Sequence, residues 1–140
     1  MSERVVIDAN RLFSELIAGH QRMRALVFDH PELEFLCPKY VFVELFKHKE
    51  TIIAATRLAP ADLLALLHTL IQHVHFFDED AVSIGSWTEA WRLCRDVDEN
   101  DTAYVALTLE LDAVLWTGDK ELEIGLRKKG FTRFFMAPAP

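Results

Sequence analysis

Short β-branched or aromatic runs alternate along this chain with longer stretches of helical periodicity, and that alternation sets the fold class. Val5-Val6-Ile7, closed by Asp8, has no polar position within it and reads as a strand buried on both faces, as in the middle of a parallel sheet. Leu12, Leu16, Met23, Leu26 and Val27 follow at roughly helical spacing. They are interrupted at Gly19 and stopped before His30-Pro31, which predicts two helices or one bent one. Phe35-Leu36-Cys37, ended by Pro38, suits a second strand. Residues 40 to 57 read as helical, although Phe42, Glu44 and Phe46 would also share one face of a strand.

The segment from Ala61 to Ile71 repeats leucine in the i, i+3, i+4, i+7 pattern, with Pro60 in its first turn and Asp62 near its positive end. His73 to Phe77 is a third strand, and Ile84, Trp87, Trp91 and Cys94 mark another amphipathic helix. Ala103-Tyr104-Val105-Ala106-Leu107 is too apolar for a surface helix and is expected in the middle of the fold. Ala113-Val114-Leu115-Trp116 is the fourth strand, and Phe134-Phe135 is a candidate fifth. Leu122, Ile124 and Leu126 alternate like a strand, but Lys120 and Arg127 to Lys129 favour an exposed helix there. Strands separated by 10 to 30 residues of helical pattern do not pair as hairpins. The expected architecture is therefore α/β, a parallel or mostly parallel sheet of four or five strands covered by helices.

Composition narrows this without changing it. Of 140 residues, 51% are apolar and 26% charged, which supports an ordinary core and excludes disorder. No repeat or linker divides the sequence, so residues 1 to 136 form one expected domain and 137 to 140 a loose tail. The start, Met1-Ser2-Glu3-Arg4, lacks the features of a signal peptide and no apolar run is long enough to span a membrane. The expectation is a cytoplasmic protein. Cys37 and Cys94 lack any metal or disulfide spacing and read as buried apolar residues. The six histidines form no HxxxH or HExxH arrangement. A net charge of −7 argues against a protein that holds nucleic acid by bulk positive charge, but not against a local basic strip.

Four acids stand where the expected fold would gather them. Ligands of an open parallel sheet sit outside the carboxyl ends of its strands. Asp8 closes the first strand, Asp119 follows the fourth, Glu44 opens a helical region, and Asp101 lies in the first turn of the apolar helix. Each has a plain structural reading beside the chemical one. Asp8 and Asp101 suit helix caps, as does Asn10; Glu44 suits an ion pair with Lys47 beside His48, and Gly118-Asp119 suits a turn.

Taken together, Val5-Val6-Ile7-Asp8-Ala9-Asn10, Val43-Glu44-Leu45, Asp98 to Leu107, and Leu115-Trp116-Thr117-Gly118-Asp119-Lys120 resemble the PIN-domain nuclease family. The resemblance runs in order along essentially the whole chain. It includes a strand-ending Asp-x-Asn, a helical Glu, an Asp opening an Ala/Leu-rich helix, and Thr-x-Asp ending 18 residues after that Asp. It implies a Rossmann-like three-layer fold, acids gathered around Mg²⁺ or Mn²⁺, and cleavage of RNA phosphodiester bonds. Position by position, the family's catalytic acids fall on Asp8, Glu44, Asp101 and Asp119. Asp98 is a further acid toward the metal, and Asn10 and Thr117 are supporting polar residues. Many small members are VapC-like toxins that pair with a cognate antitoxin and act as dimers. Trp116 and Gly118-Asp119-Lys120 depart from typical toxins, which bears on the toxin role more than on the nuclease role.

Electrostatics agrees with a cation. Two carboxylates about 6 Å apart repel by roughly 3 kcal/mol at an effective dielectric near 20, so four ionised acids need a cation or proton uptake to share a crevice. Mg²⁺ takes oxygen ligands and keeps several waters, which this set accommodates. Asp8, Asp101 and Asp119 would be its chief ligands, with Glu44 orienting the attacking water directly or through a second metal. Lys47, Lys120 and Arg127 are candidate RNA contacts. Two other readings stay open: a PIN-like module that binds RNA or protein without cutting, and an aspartyl-nucleophile phosphatase, which would want an Asp at Asn10. Phe134, Phe135 and Trp87 fit either an oligomer interface or the core.

Overall fold

A computed structural model of the chain describes residues 3–18 and 22–136. The helix break expected at Gly19 and the tail expected from 137 onward lie outside them. Four strands, β1 (Glu3–Ile7), β2 (Leu33–Pro38), β3 (Val74–Phe77) and β4 (Val114–Trp116), pair in the order β3-β2-β1-β4, every pairing parallel. Val5, Val6 and Ile7 are all buried, as an apolar run in a central parallel strand must be. The register sets Val5 against Phe35 on one side and Val114 on the other.

Helices flank the sheet: α1 (Ala9–Ala18), α2 (Arg22–Asp29), α3 (Val41–Lys47), α4 (Lys49–Ala55), α5 (Pro60–His73), α6 (Ile84–Cys94), α7 (Thr102–Glu110) and α8 (Lys120–Lys128). The apolar α7 packs against β1, β2 and β4 and is covered by α6, which explains its lack of a polar face. Helix α1 packs against α3, α4 and α5. The long helix expected over residues 40 to 57 is two short ones joined at His48, whose ring meets Phe13 edge-on. Residues 120 to 128 are helical, with Leu122 and Leu126 buried and Ile124 outside.

The ends of α7 and α8 share one device. Phe131 N donates to Leu126 O and Gly130 N to Arg127 O, while Ala113 N donates to Thr108 O and Asp112 N to Leu109 O. Both are Schellman closures that need a left-handed residue, supplied by Gly130 (φ 92°) and Asp112 (φ 51°).

The candidate fifth strand is a single parallel bridge from Phe134 to Leu115 beside β4. Phe134 and Phe135 are buried, the latter against Trp116, so both belong to the core. Trp87 is half-buried, its indole N–H donating to Glu79 O at 3.3 Å. Cys37 and Cys94 are both free and buried. Among the described residues no helix is long and apolar enough to cross a membrane.

Candidate metal centre

The strand order makes the site. The chain steps outward from β1 through β2 to β3, then returns so that β4 lies on the other side of β1. The reversal between β1 and β4 leaves a crevice beyond their carboxyl ends, where no loop crosses from one strand to the other. Asp8 follows β1 directly, and its N–H continues the ladder by donating to Trp116 O at 3.1 Å. Thr117 and Asp119 follow β4, and Glu44 rides on α3 just past β2.

Asp8 is buried. Its Oδ1 accepts from Arg11 N at 2.8 Å, the first-turn contact of α1, and its Oδ2 has no partner. The cap explanation thus covers one oxygen of two. Asp119 caps α8 in the same way, with Oδ1 accepting from Glu121 N and Leu122 N at 3.0 and 3.1 Å. Asp98 caps the 3-10 turn Glu99–Asp101 through Asn100 N at 3.0 Å.

Asp101 ends that turn instead of lying inside α7, since the 3-10 backbone tightens one residue before the helix begins. Although it occupies the N-cap position of α7, its side chain makes no cap bond, and its Oδ2 is buried without a partner. Capping therefore does not account for it. One carboxylate oxygen from each of Asp98, Asp101 and Asp119 falls within 4.8 Å of the others.

These positions set the protonation. Burial pushes Asp101 up to about 7, reinforced by the charges of Asp98, Asp8, Asp119 and Glu44. Burial likewise raises Asp8 to about 6; hydrogen bonds from Thr117 and Arg11 oppose this, and the charges of Asp119 and Glu44 add to it. The charges of the other four acids thus all reach Asp101, and those of Asp119 and Glu44 also reach Asp8. Two unpartnered buried carboxylate oxygens beside a cluster of three acids are what a hard divalent cation satisfies, and they are costly without one. The donor set is all oxygen, which fits Mg²⁺ or Mn²⁺.

Thr117 acts on both sides of the crevice: its Oγ1 accepts from Asp119 N at 3.0 Å, and its hydroxyl opposes the upward push of burial on Asp8. Glu44 makes no ion pair with Lys47. Its Oε1 accepts from the buried phenol of Tyr104 at 2.5 Å. Asn10 is exposed in the first turn of α1, with no side-chain hydrogen bond among the described residues. Lys120 is exposed beside Asp119, and Lys47 is exposed in the last turn of α3. Arg127 lies about 10 Å further along α8 than Lys120, paired with Glu123 and stacked over the Phe134 ring at 4.7 Å.

Sequence reasoning missed two features. Tyr104 reads from the sequence only as a core residue, yet its position in the apolar helix three residues after Asp101 is an available signal. The second is the pair Arg11 and Glu15 in α1, 2.5 Å apart, with Glu15 buried and Arg11 over the Trp116 ring at 4.9 Å.

Known proteins share the fold of this chain. A family model described as PIN domain matches residues 6–134. No curated protein matches the chain. Among solved structures, a chain of VapBC2 from Rickettsia felis, crystallised bound to a DNA fragment from the promoter, is similar with a TM-score of 0.60. It is 12% identical, and the match covers 94% of this chain and 95% of that one, which is a likeness of fold.

Proposed function

Since this chain belongs to the PIN-domain family, we propose that it is a Mg²⁺- or Mn²⁺-dependent endoribonuclease that hydrolyses RNA phosphodiester bonds in the cytoplasm. The observation that carries this is the oxygen cluster of Asp98, Asp101 and Asp119, together with the unpartnered buried oxygens of Asp8 and Asp101. Those four residues would hold the cation. Bound there, it neutralises charge on the scissile phosphate and acidifies a water.

The chain's own groups do the rest. The Tyr104 phenol fixes one oxygen of Glu44, leaving the other to accept a proton from the attacking water. The water oxygen forms the new bond to phosphorus as the bond to the departing ribose oxygen breaks. Thr117 holds Asp8 and the Asp119 backbone in register. Asn10, exposed two residues after Asp8, would be a further polar support. Lys120 and Lys47 offer phosphate contacts near the acids, with Arg127 as an outer one once freed from Glu123.

The deciding experiment is incubation of the purified chain with RNA and Mn²⁺ or Mg²⁺. Cleavage should need the metal and vanish in Asp101→Asn, while retained cleavage in that variant overturns the proposal.

The reading extends to partners. An apolar groove of about 610 Å³ between α1, α3, α4 and α5 is lined by Leu16, Phe42, Phe46, Ile53, Leu63 and Leu64. Phe46, Ile53 and Leu64 are 68%, 56% and 67% exposed, and contiguous exposed apolar side chains of this kind mark an interaction surface more often than scattered ones do. The groove suits the apolar face of an amphipathic helix. An antitoxin segment in this groove, on a homodimeric nuclease, is the arrangement we propose, and the fold likeness to a VapBC2 chain supports it.

A further inference from the structure

A second feature adjoins the acids and plays no part in holding a cation. An open cleft of about 640 Å³ is lined by Trp87, Thr88 and Trp91 of α6 and by Glu99, Asn100 and Thr102. Glu99 and Asn100 belong to the same 3-10 turn that carries Asp101, with Asp98 as its cap, so one wall of the cleft is the outer side of the acid-bearing segment. The other wall is aromatic. Trp91 is 49% exposed, and Trp87 is anchored through its indole N–H to Glu79 O.

We infer that this cleft is a base-stacking subsite that takes an unpaired nucleobase of the RNA strand being cut. The inference rests on the nuclease reading for its substrate. A solvent-exposed indole costs free energy unless a flat apolar partner covers it, and every nucleobase has such a face. The Arg95 guanidinium stacks 5.2 Å from the Trp91 ring centroid. It stiffens the indole and places positive charge beside a stacked strand, which partly offsets the net charge of −7 on this side of the acids. The Asn100 side chain makes no hydrogen bond among the described residues, so its amide is available to a base edge. Thr102 is already committed to Glu99 O at 2.6 Å and holds the wall in shape. Only an unpaired base presents a free face and a free edge together, so the site selects single-stranded over duplex RNA.

The test compares wild type, Trp91→Ala and Trp91→Phe. Affinity for a fluorescent single-stranded RNA oligonucleotide is measured in EDTA, and KM and kcat for its cleavage are measured with Mn²⁺. Loss of one aromatic–base stack corresponds to roughly a 5- to 150-fold weakening. Trp91→Ala should lose that much single-strand affinity, with the change falling on KM, while Trp91→Phe stays within a few-fold of wild type. Affinity for the same sequence annealed as a duplex should not respond. Unchanged single-strand affinity in Trp91→Ala overturns the inference, as does an equal loss for duplex. Trp91-dependent self-association with RNA affinity intact also overturns it, in favour of a protein interface. Failure of wild type to cut any RNA would count against the nuclease reading alone, because the affinity measurement needs no cleavage.

Discussion

The phenol of Tyr104, in the apolar helix α7, donates to the Glu44 carboxylate on α3, joining residues 60 positions apart. The bond ties the buried helix α7 to an acid whose side-chain partner is this phenol and not a backbone N–H. Removal of the hydroxyl leaves Glu44 free to rotate toward water, since that residue is only half-buried. Tyr104→Phe should cost about 1 kcal/mol of stability and lower the cleavage rate by 10- to 100-fold, the usual effect of losing a group that orients a site residue. Thermal unfolding in EDTA, alongside cleavage at saturating RNA, checks both. A rate equal to wild type would show that Glu44 needs no such support.

Asp8 and Asp101, raised to about 6 and about 7, give the metal-free protein a pH dependence of defined sign. An acid whose folded pKa lies above its unfolded value binds its proton more tightly when folded. That stabilisation is complete below about pH 4 and is lost as pH rises through 6 to 7. For the fully buried Asp8 the shift corresponds to about 3 kcal/mol. Tm in EDTA should therefore fall between pH 5 and 8, whereas saturating Mn²⁺ should raise Tm most at the alkaline end, where no protons need be displaced. Asp8→Asn should flatten the EDTA profile and abolish most of the Mn²⁺ effect. A Tm in EDTA that rises across this range would contradict the clustering of these acids.

The fold was legible because it depends on periodicity. Val5 to Ile7 and Ala103 to Leu107 are apolar without alternation; Val5 to Ile7 and Tyr104 to Leu107 are buried, the first in a central strand and the second in the central helix. The break at His48 was not legible, because residues on both sides keep the same helical spacing. The fifth strand failed for a different reason: Phe134 and Phe135 are apolar because they pack on the core, and a single bridge suffices to hold them. The acids were legible as strand and helix termini in an order that only a parallel sheet brings together. What sequence did not reveal was how they are held. The partner of Glu44 lies 60 positions away, and the one mark on Tyr104 is its place in an apolar run three residues after Asp101.

Arg11 and Glu15 form a second, separable network. Glu15 is buried with Oε2 unpartnered, and Arg11 Nε is likewise unpartnered, so the pair is enclosed without being fully satisfied. Glu15→Ala strands the guanidinium over Trp116 and should cost about 3 kcal/mol. Replacement of both members, Arg11→Met with Glu15→Leu, removes the desolvation penalty with the interaction and should recover most of that loss. Chemical denaturation of the two variants measures the difference. If the double variant is no more stable than the single one, the pair contributes specific structure beyond charge balance.

The groove makes the last prediction, and it separates partner binding from catalysis. Phe46 and Leu64 are each about two-thirds exposed and lie on helices that hold none of the acids except Glu44. Charged replacements on such surface positions usually change stability by less than about 0.5 kcal/mol, because the side chains already meet water. In the groove they would place a carboxylate against the apolar face of any helix docked there, which costs several-fold more than it does in solvent. Phe46→Glu with Leu64→Glu should therefore fold with a Tm near that of wild type and still cut RNA with Mn²⁺. The same variant should fail to co-purify with a co-expressed antitoxin of the kind proposed above. Wild type should retain that partner, and its nuclease activity should be suppressed while the partner is bound. If the double variant retains the partner as well as wild type does, the groove is not the docking surface.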